Sequence, residues 1–262
     1  MHCSASRKVS LNGAKSQPQY CFRDSPDVLS PAMGFGDLPE RLDRVRQDIA
    51  RHQAVGGWSH AVTIVAVTKG FGPDAVTAAL AAGVADVGEN RVQEALEKMK
   101  SATDPRVRWH LIGHLQRNKA KSVPGRFALV HSIDSLELAD ELEQRAAAAG
   151  VTVSVLVQVN MAREPQKSGS DPESARQLTR ALRSRTHLRL EGLMTMAPFT
   201  EDVDVQRRTF RGLRELRDEL QEEGVWLPTL SMGMSGDFGT AVEEGATVVR
   251  LGTVLFGPRT TT

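Results

Sequence analysis

Eight short apolar runs rich in β-branched residues alternate with longer amphipathic runs, and this alternation restricts the fold more than any other property of the chain. The runs fall at residues 62–67, 85–87, 107–112, 127–130, 152–159, 188–193, 229–230 and 247–249. Between them, residues 73–83, 92–99, 136–149, 173–182, 203–220 and 238–244 carry apolar side chains at helical spacing, and residues 118–121 form a shorter link. Strands that are apolar almost without interruption are buried on both faces, which is the condition of a parallel sheet covered by crossover helices. Eight is the number that closes such a sheet into a barrel. A doubly wound open sheet would carry a glycine-rich phosphate turn after its first strand, and Thr68-Lys69-Gly70-Phe71-Gly72-Pro73 does not match that fingerprint.

The expected fold is therefore α/β, a single (β/α)8 TIM barrel with an extra N-terminal helix, and 262 residues suit one such domain. The extra helix starts after Asp37, with Leu38, Leu42, Val45 and Ile49 on one face, and stops at Gly56-Gly57. Residues 1–36 scatter Ser, Gln, Pro and Gly among isolated apolar residues with no sustained period, so they are expected to be a disordered extension, with Met33 an alternative start site. The barrel domain is expected over residues 37–262, with no internal repeat or linker.

With 33 basic and 32 acidic residues the net charge is +1, so no overall field favours nucleic acid or an anionic membrane surface. The only two cysteines, Cys3 and Cys21, leave no disulfide framework and no cysteine-based zinc site. No apolar run approaches the roughly 20 residues that span a bilayer, and no apolar secretory core opens the chain. The expectation is a cytoplasmic protein with a small-molecule site, free of nucleic acid, membrane and metal.

In a barrel of this kind function sits at the C-terminal ends of the strands. Lys69 closes the first run, where an amine leaving apolar surroundings is able to act as a nucleophile toward an aldehyde. A lone lysine at a strand end ordinarily just reaches solvent. It gains meaning from two loops. Ser231-Met232-Gly233-Met234-Ser235-Gly236-Asp237 follows the seventh strand, and residues 249–257, with Arg250, Gly252 and Thr253, follow the eighth. Loops after strands seven and eight form the usual phosphate site of these barrels.

Other chemistries fare worse. His110 and His114 have the spacing of a metal pair on a helix, but they flank a strand end and no Glu follows His110. Gly233-Met234-Ser235-Gly236 approaches a nucleophile elbow, yet no histidine lies beyond His187 to complete the usual order.

The segments VAVTKG, VGENRVQEALEK, WHLIGHLQRNK, HSIDS, VNMAREPQKSG, LEGLMTM and SMGMSGDFGTAVEEGATVVRLGTVLFGPR occur in that order, and with them the chain resembles the YggS/PROSC family of pyridoxal 5'-phosphate homeostasis proteins. The resemblance implies a barrel like the N-terminal domain of alanine racemase, with the cofactor held as a Schiff base on Lys69. It also implies that Asn90 lies beside the pyridine ring and that Ser235, Gly252 and Thr253 hold the phosphate. Arg250 would lie near the ring nitrogen or phosphate, with Met234 and Gly236 as further contributors. Arg91 departs from the aromatic residue expected after the GEN motif. The implied role is that of a monomer serving intracellular homeostasis of the cofactor without substantial catalysis, with transient handover to pyridoxal-phosphate-dependent apoenzymes. Handover requires the link to Lys69 to open reversibly, and a second lysine, Lys167, is the expected secondary acceptor. The alternative is a weak amino-acid racemase. That activity needs two opposed bases, and the chain's only tyrosine is Tyr20, in the irregular extension.

Overall fold

The computed structural model describes residues 34–164 and 168–258. Helix α1, Leu38–Gly56, comes first, and Gly57 ends it in the left-handed region at φ 74°. The strands are β1 (Thr63–Val67), β2 (Asp86–Glu89), β3 (Arg108–Leu111), β4 (Leu129–Ile133), β5 (Val153–Gln158), β6 (Leu188–Met194), β7 (Thr229–Met234) and β8 (Val248–Leu251). Helices α2 (Pro73–Ala81), α3 (Val92–Met99), α4 (Leu136–Ala148), α5 (Pro172–Leu182), α6 (Val203–Glu222) and α7 (Phe238–Glu243) alternate with them, and α8 (Thr253–Phe256) follows β8. A 3-10 turn over Arg117–Ser122 replaces the helix between β3 and β4.

All eight strands are parallel and pair in sequence order, and β8 returns to β1 through Thr63↔Val248 to Ala66↔Leu251. The closed eight-stranded barrel agrees with the alternation read from the sequence. Closure leaves no unpaired sheet edge. Strand residues such as Val65, Ala66, Val87, Leu111, Val155, Leu193, Leu230 and Val249 are fully buried, as the uninterrupted apolar runs require.

Four strand boundaries differ from the sequence reading by two residues or more. Strand β2 runs on through Gly88 and Glu89. Strand β7 extends through Ser231–Met234, which had the small residues of a loop; the strand bulges there, with Gly233 at φ 93° and its α-carbon facing α7. A Cβ at Gly233 would stand 2.7 Å from that of Ala241, so glycine lets β7 and α7 approach. Arg250 and Leu251 belong to β8 itself, so the loop after it begins at Gly252. Strand β4 lies two to three residues later than expected and includes His131 and Ser132.

The expected disordered extension falls outside the described residues as far as residue 33. Phe35 does not share its irregular character, because its ring packs edge-on against Phe71 at 6.1 Å and Phe256 at 5.5 Å. Helix α1 packs against α7 and α8 through Leu38, Leu42, Val45 and Ile49. Among the described residues, no helix is long and apolar enough to cross a membrane.

Candidate functional site

The C-terminal ends of the strands open into a cleft of about 1430 Å³. Lys69, Asn90, Met234, Ser235, Gly236, Arg250, Gly252 and Thr253, the eight residues singled out from the sequence, all line it. They come from four different strand ends, and barrel closure is what brings Lys69 beside the last two loops.

Lys69 is half-buried in the turn that follows β1. Three side chains that the sequence reading passed over fix this turn. Lys98, on α3 and only 6% exposed, donates to the Thr68 carbonyl at 2.7 Å and to Glu89 Oε1 at 2.6 Å. The Thr68 hydroxyl donates to the same Glu89 oxygen at 2.5 Å, and the Gly70 amide donates to Glu94 Oε1 at 2.8 Å. Both residues flanking Lys69 are thus tied to α3 and to the end of β2. Burial pushes the Glu89 carboxyl above its usual range, against the hydrogen bonds from Lys98 and Thr68. Its Oε2 is buried and has no hydrogen-bond partner.

Asn90 follows Glu89, and its placement depends on Gly113 at the end of the neighbouring strand, β3. A Cβ at Gly113 would fall 2.3 Å from the Asn90 carbonyl oxygen, so only glycine allows the two backbones to approach this closely. The Ser132 hydroxyl donates to the Gly113 carbonyl at 2.7 Å and holds it there.

The two loops after β7 and β8 meet at Ser235. Its Oγ accepts from the amides of Gly252 at 3.2 Å and Val254 at 3.3 Å. A Cβ at Gly236 would meet nothing within 4 Å, so the space beside Ser235 is open. Convergent amides, a hydroxyl and a side-chain-free wall form a concavity that suits an anion.

Arg250 is 4% exposed and donates to two neutral acceptors, Ser231 Oγ at 2.6 Å and the Thr195 carbonyl at 2.9 Å. Burial lowers its pKa to about 10, with the charge of Asp237 acting the other way, so it remains a cation at neutral pH. The cleft therefore offers an amine, an anion cradle and a fixed buried positive charge.

Arg91 is exposed at the start of α3 and does not line the cleft. The two histidines with metal-pair spacing separate: His110 is buried inside the barrel, while His114 lines the cleft and pairs with Asp134 at 3.4 Å. Among the described residues no group of three or more His, Cys, Asp and Glu is arranged to hold a metal ion. Tyr20 and Lys167 lie outside the described residues.

Comparison with known proteins agrees with this architecture. The model of the alanine racemase N-terminal domain matches residues 41–260. The chain is 42% identical over 222 residues to the pyridoxal phosphate homeostasis protein of Aquifex aeolicus, covering 84% of this chain and 97% of that one. It is 42% identical over 207 residues to the pyridoxal phosphate homeostasis protein of Pseudomonas aeruginosa, covering 79% and 89%. The structure of PipY from Synechococcus elongatus with PLP bound superposes with a TM-score of 0.74 at 36% identity, covering 84% of this chain and 100% of that one. An alanine racemase of Clostridium difficile shares the fold, with a TM-score of 0.67 at 18% identity and 58% of its own length covered. By sequence over most of its length and by a closed barrel with the expected cleft, the chain belongs to the pyridoxal phosphate homeostasis protein family, within the alanine racemase N-terminal domain group.

Proposed function

We propose that this protein holds pyridoxal 5'-phosphate in the cleft with Lys69 as its covalent anchor, and that it serves homeostasis of the cofactor rather than turnover of amino acids. The observation that carries the reading is the shared cleft: Lys69 follows β1, Ser235 follows β7 and Gly252 follows β8, yet all three line one cavity. The names of the curated relatives and the PLP bound by PipY support it. The donor set fits the group, since the open space beside Gly236 and the amides at Ser235 suit a phosphate.

When bound, the cofactor supplies an aldehyde that a primary amine condenses with, losing water. Lys69 presents that amine from a turn that Lys98, Glu89 and Glu94 hold rigid. Ser235, Gly236, Gly252 and Thr253 would hold the phosphate, and Asn90 and Met234 would stand beside the ring. Arg250, a cation at neutral pH, would stand near the ring nitrogen, where it would keep that nitrogen unprotonated and weaken the ring as an electron sink. This is one physical reason for assigning storage and handover rather than racemisation; the other is that residues 37–262 contain no tyrosine to act as the second base. Transient handover to pyridoxal-phosphate-dependent apoenzymes, by a monomer in the cytoplasm, completes the reading.

The test is α-proton exchange. Protein loaded with pyridoxal phosphate is incubated with L- and D-alanine in heavy water, and the alanine is followed by NMR. The proposal expects no exchange beyond that of free pyridoxal phosphate at the same concentration; steady exchange at enzymatic rates establishes the racemase alternative instead.

A further inference from the structure

Six side chains form one unbroken hydrogen-bonded line through the barrel interior, and none but Arg250 touches the cleft. It starts at Arg108, the first residue of β3, whose side chain is 61% exposed at the mouth opposite the cleft. Arg108 Nε donates at 2.8 Å to Oδ1 of Asp86, the first residue of β2. The same oxygen lies 2.8 Å from His110 Nε2, and His110 Nδ1 lies 2.9 Å from His131 Nε2. His131 Nδ1 is 2.9 Å from Ser231 Oγ, to which Arg250 Nη1 donates at 2.6 Å. From Asp86 to Arg250 every member is buried, none more than 7% exposed.

The ends fix the direction of the hydrogen bonds, because a guanidinium only donates and a carboxylate only accepts. Burial raises the Asp86 carboxyl, but the hydrogen bonds from His110 and Arg108 outweigh it and leave the group below its ordinary range, so it is ionised at neutral pH. His110 therefore carries a hydrogen on Nε2. While His110 is neutral, its Nδ1 accepts from His131 Nε2–H, His131 Nδ1 accepts from the Ser231 hydroxyl, and the Ser231 oxygen accepts from Arg250. His131 itself stays neutral, since burial, reinforced by His110 and Arg250, holds it well below the usual histidine range.

A second proton on His110 changes this pattern. Its Nδ1 becomes a donor, so His131 must carry its one hydrogen on Nδ1 and donate to Ser231, whose oxygen then accepts from both His131 and Arg250. The charged and titratable groups facing His110 are Asp86 on β2, Arg108 on its own strand and His131 on β4, with Arg250 on β8 acting through His131.

We propose that Asp86, His110, His131 and Ser231 are positioning residues for Arg250, forming a two-state relay in which the charge on His110 sets the direction of the hydrogen bonds up to Ser231 and so the hold on Arg250. For a pyridine nitrogen in the cleft, a consequence that rests on the function proposed above, charging His110 makes its surroundings more positive and holds it more firmly unprotonated. The relay explains why a buried polar line of this length persists in a barrel interior, where apolar side chains would pack at no electrostatic cost.

The experiment uses the full chain with ¹⁵N-labelled histidine and reads ring-nitrogen signals from pH 9 to pH 5. In protein without cofactor, both rings are expected to carry hydrogen on Nε2 at the alkaline end. As His110 becomes charged, the two nitrogen signals of His131 exchange places with the same midpoint. A His131 ring that keeps one tautomer throughout, or one that changes independently of His110, overturns the relay. This arm is independent of pyridoxal phosphate, so a failure of the functional reading is distinguished from a failure of the relay. In protein loaded with pyridoxal phosphate, the cofactor absorbance is expected to inflect at the His110 midpoint, to lose that inflection in Ser231→Ala and to regain it in Ser231→Thr. An inflection that persists unchanged in Ser231→Ala overturns the coupling to Arg250.

Discussion

The Lys98 ammonium lies 2.6 Å from Glu89 Oε1 and, through its 2.7 Å bond to the Thr68 carbonyl, clamps the residue immediately before Lys69. Lys69, the proposed anchor, is thus presented by a turn that a buried ion pair between β2 and α3 holds in place.

Lys98→Met keeps the aliphatic stem and removes the charge, leaving Glu89 buried and uncompensated. Removing one partner of a buried pair costs about 3–5 kcal/mol, and urea denaturation is expected to show a loss of that size. Lys98→Met/Glu89→Gln is expected to lose less than the two single substitutions added together. The pH dependence has a definite sign. Burial already raises the folded Glu89 carboxyl above its unfolded value, and without Lys98 it rises further. The folded variant then binds a proton that the folded parent does not, so the deficit of Lys98→Met is full above the variant's folded pKa and shrinks as pH falls toward the parent's folded pKa. An equal deficit at pH 5 and pH 8 would contradict this account.

That ion pair was not legible in the sequence, and the reason is physical. Nothing in the amphipathic run that became α3 distinguishes Lys98, which is buried, from Lys100, which is exposed; the difference arises only when α3 docks on β2. The strands were legible because a parallel sheet buried on both faces writes long apolar runs; Lys69 and Ser235 were legible because they follow such runs, and Asn90 through the family resemblance alone. Strand β7 was read too short because Ser231, Gly233 and Met234 lack the β-branched signature, and Gly233 bulges the strand at φ 93°. Arg250 looked like a loop residue because charge is rare inside a barrel strand, where here Ser231 and the Thr195 carbonyl accept its hydrogens.

The proposed phosphate cradle separates two substitutions at one position. In Ser235→Ala the amides of Gly252 and Val254 remain, so pyridoxal phosphate affinity is expected to fall only about 5–10-fold, the worth of one hydrogen bond near 1 kcal/mol. Ser235→Asp places a carboxylate against the same amides, where it competes with the phosphate and repels it. Loss of binding by at least about 100-fold is expected, near 3 kcal/mol for a desolvated like-charge contact. Equilibrium titration followed by cofactor absorbance distinguishes the two, and equal effects would show that the phosphate sits elsewhere.

Gly113→Ala tests how Asn90 is placed. The added methyl would fall 2.3 Å from the Asn90 carbonyl oxygen, and the contact is to backbone, which cannot swing aside. A stability loss of about 1–3 kcal/mol is expected from the strain, with a shifted absorbance maximum of the bound cofactor as Asn90 moves against the ring. Thermal denaturation and the absorbance spectrum read the two effects separately. A stable variant with the parent spectrum would remove Gly113 from the account.

The central claim is that Lys69 is the covalent anchor, and borohydride trapping followed by peptide mass mapping tests it most directly. Protein loaded with pyridoxal phosphate is reduced, digested and mapped beside Lys69→Ala protein treated identically. The account predicts one phosphopyridoxyl adduct, on the peptide containing Lys69, and no stoichiometric adduct in Lys69→Ala. A stoichiometric adduct on another lysine of the unmodified protein, or its retention in Lys69→Ala, would contradict it.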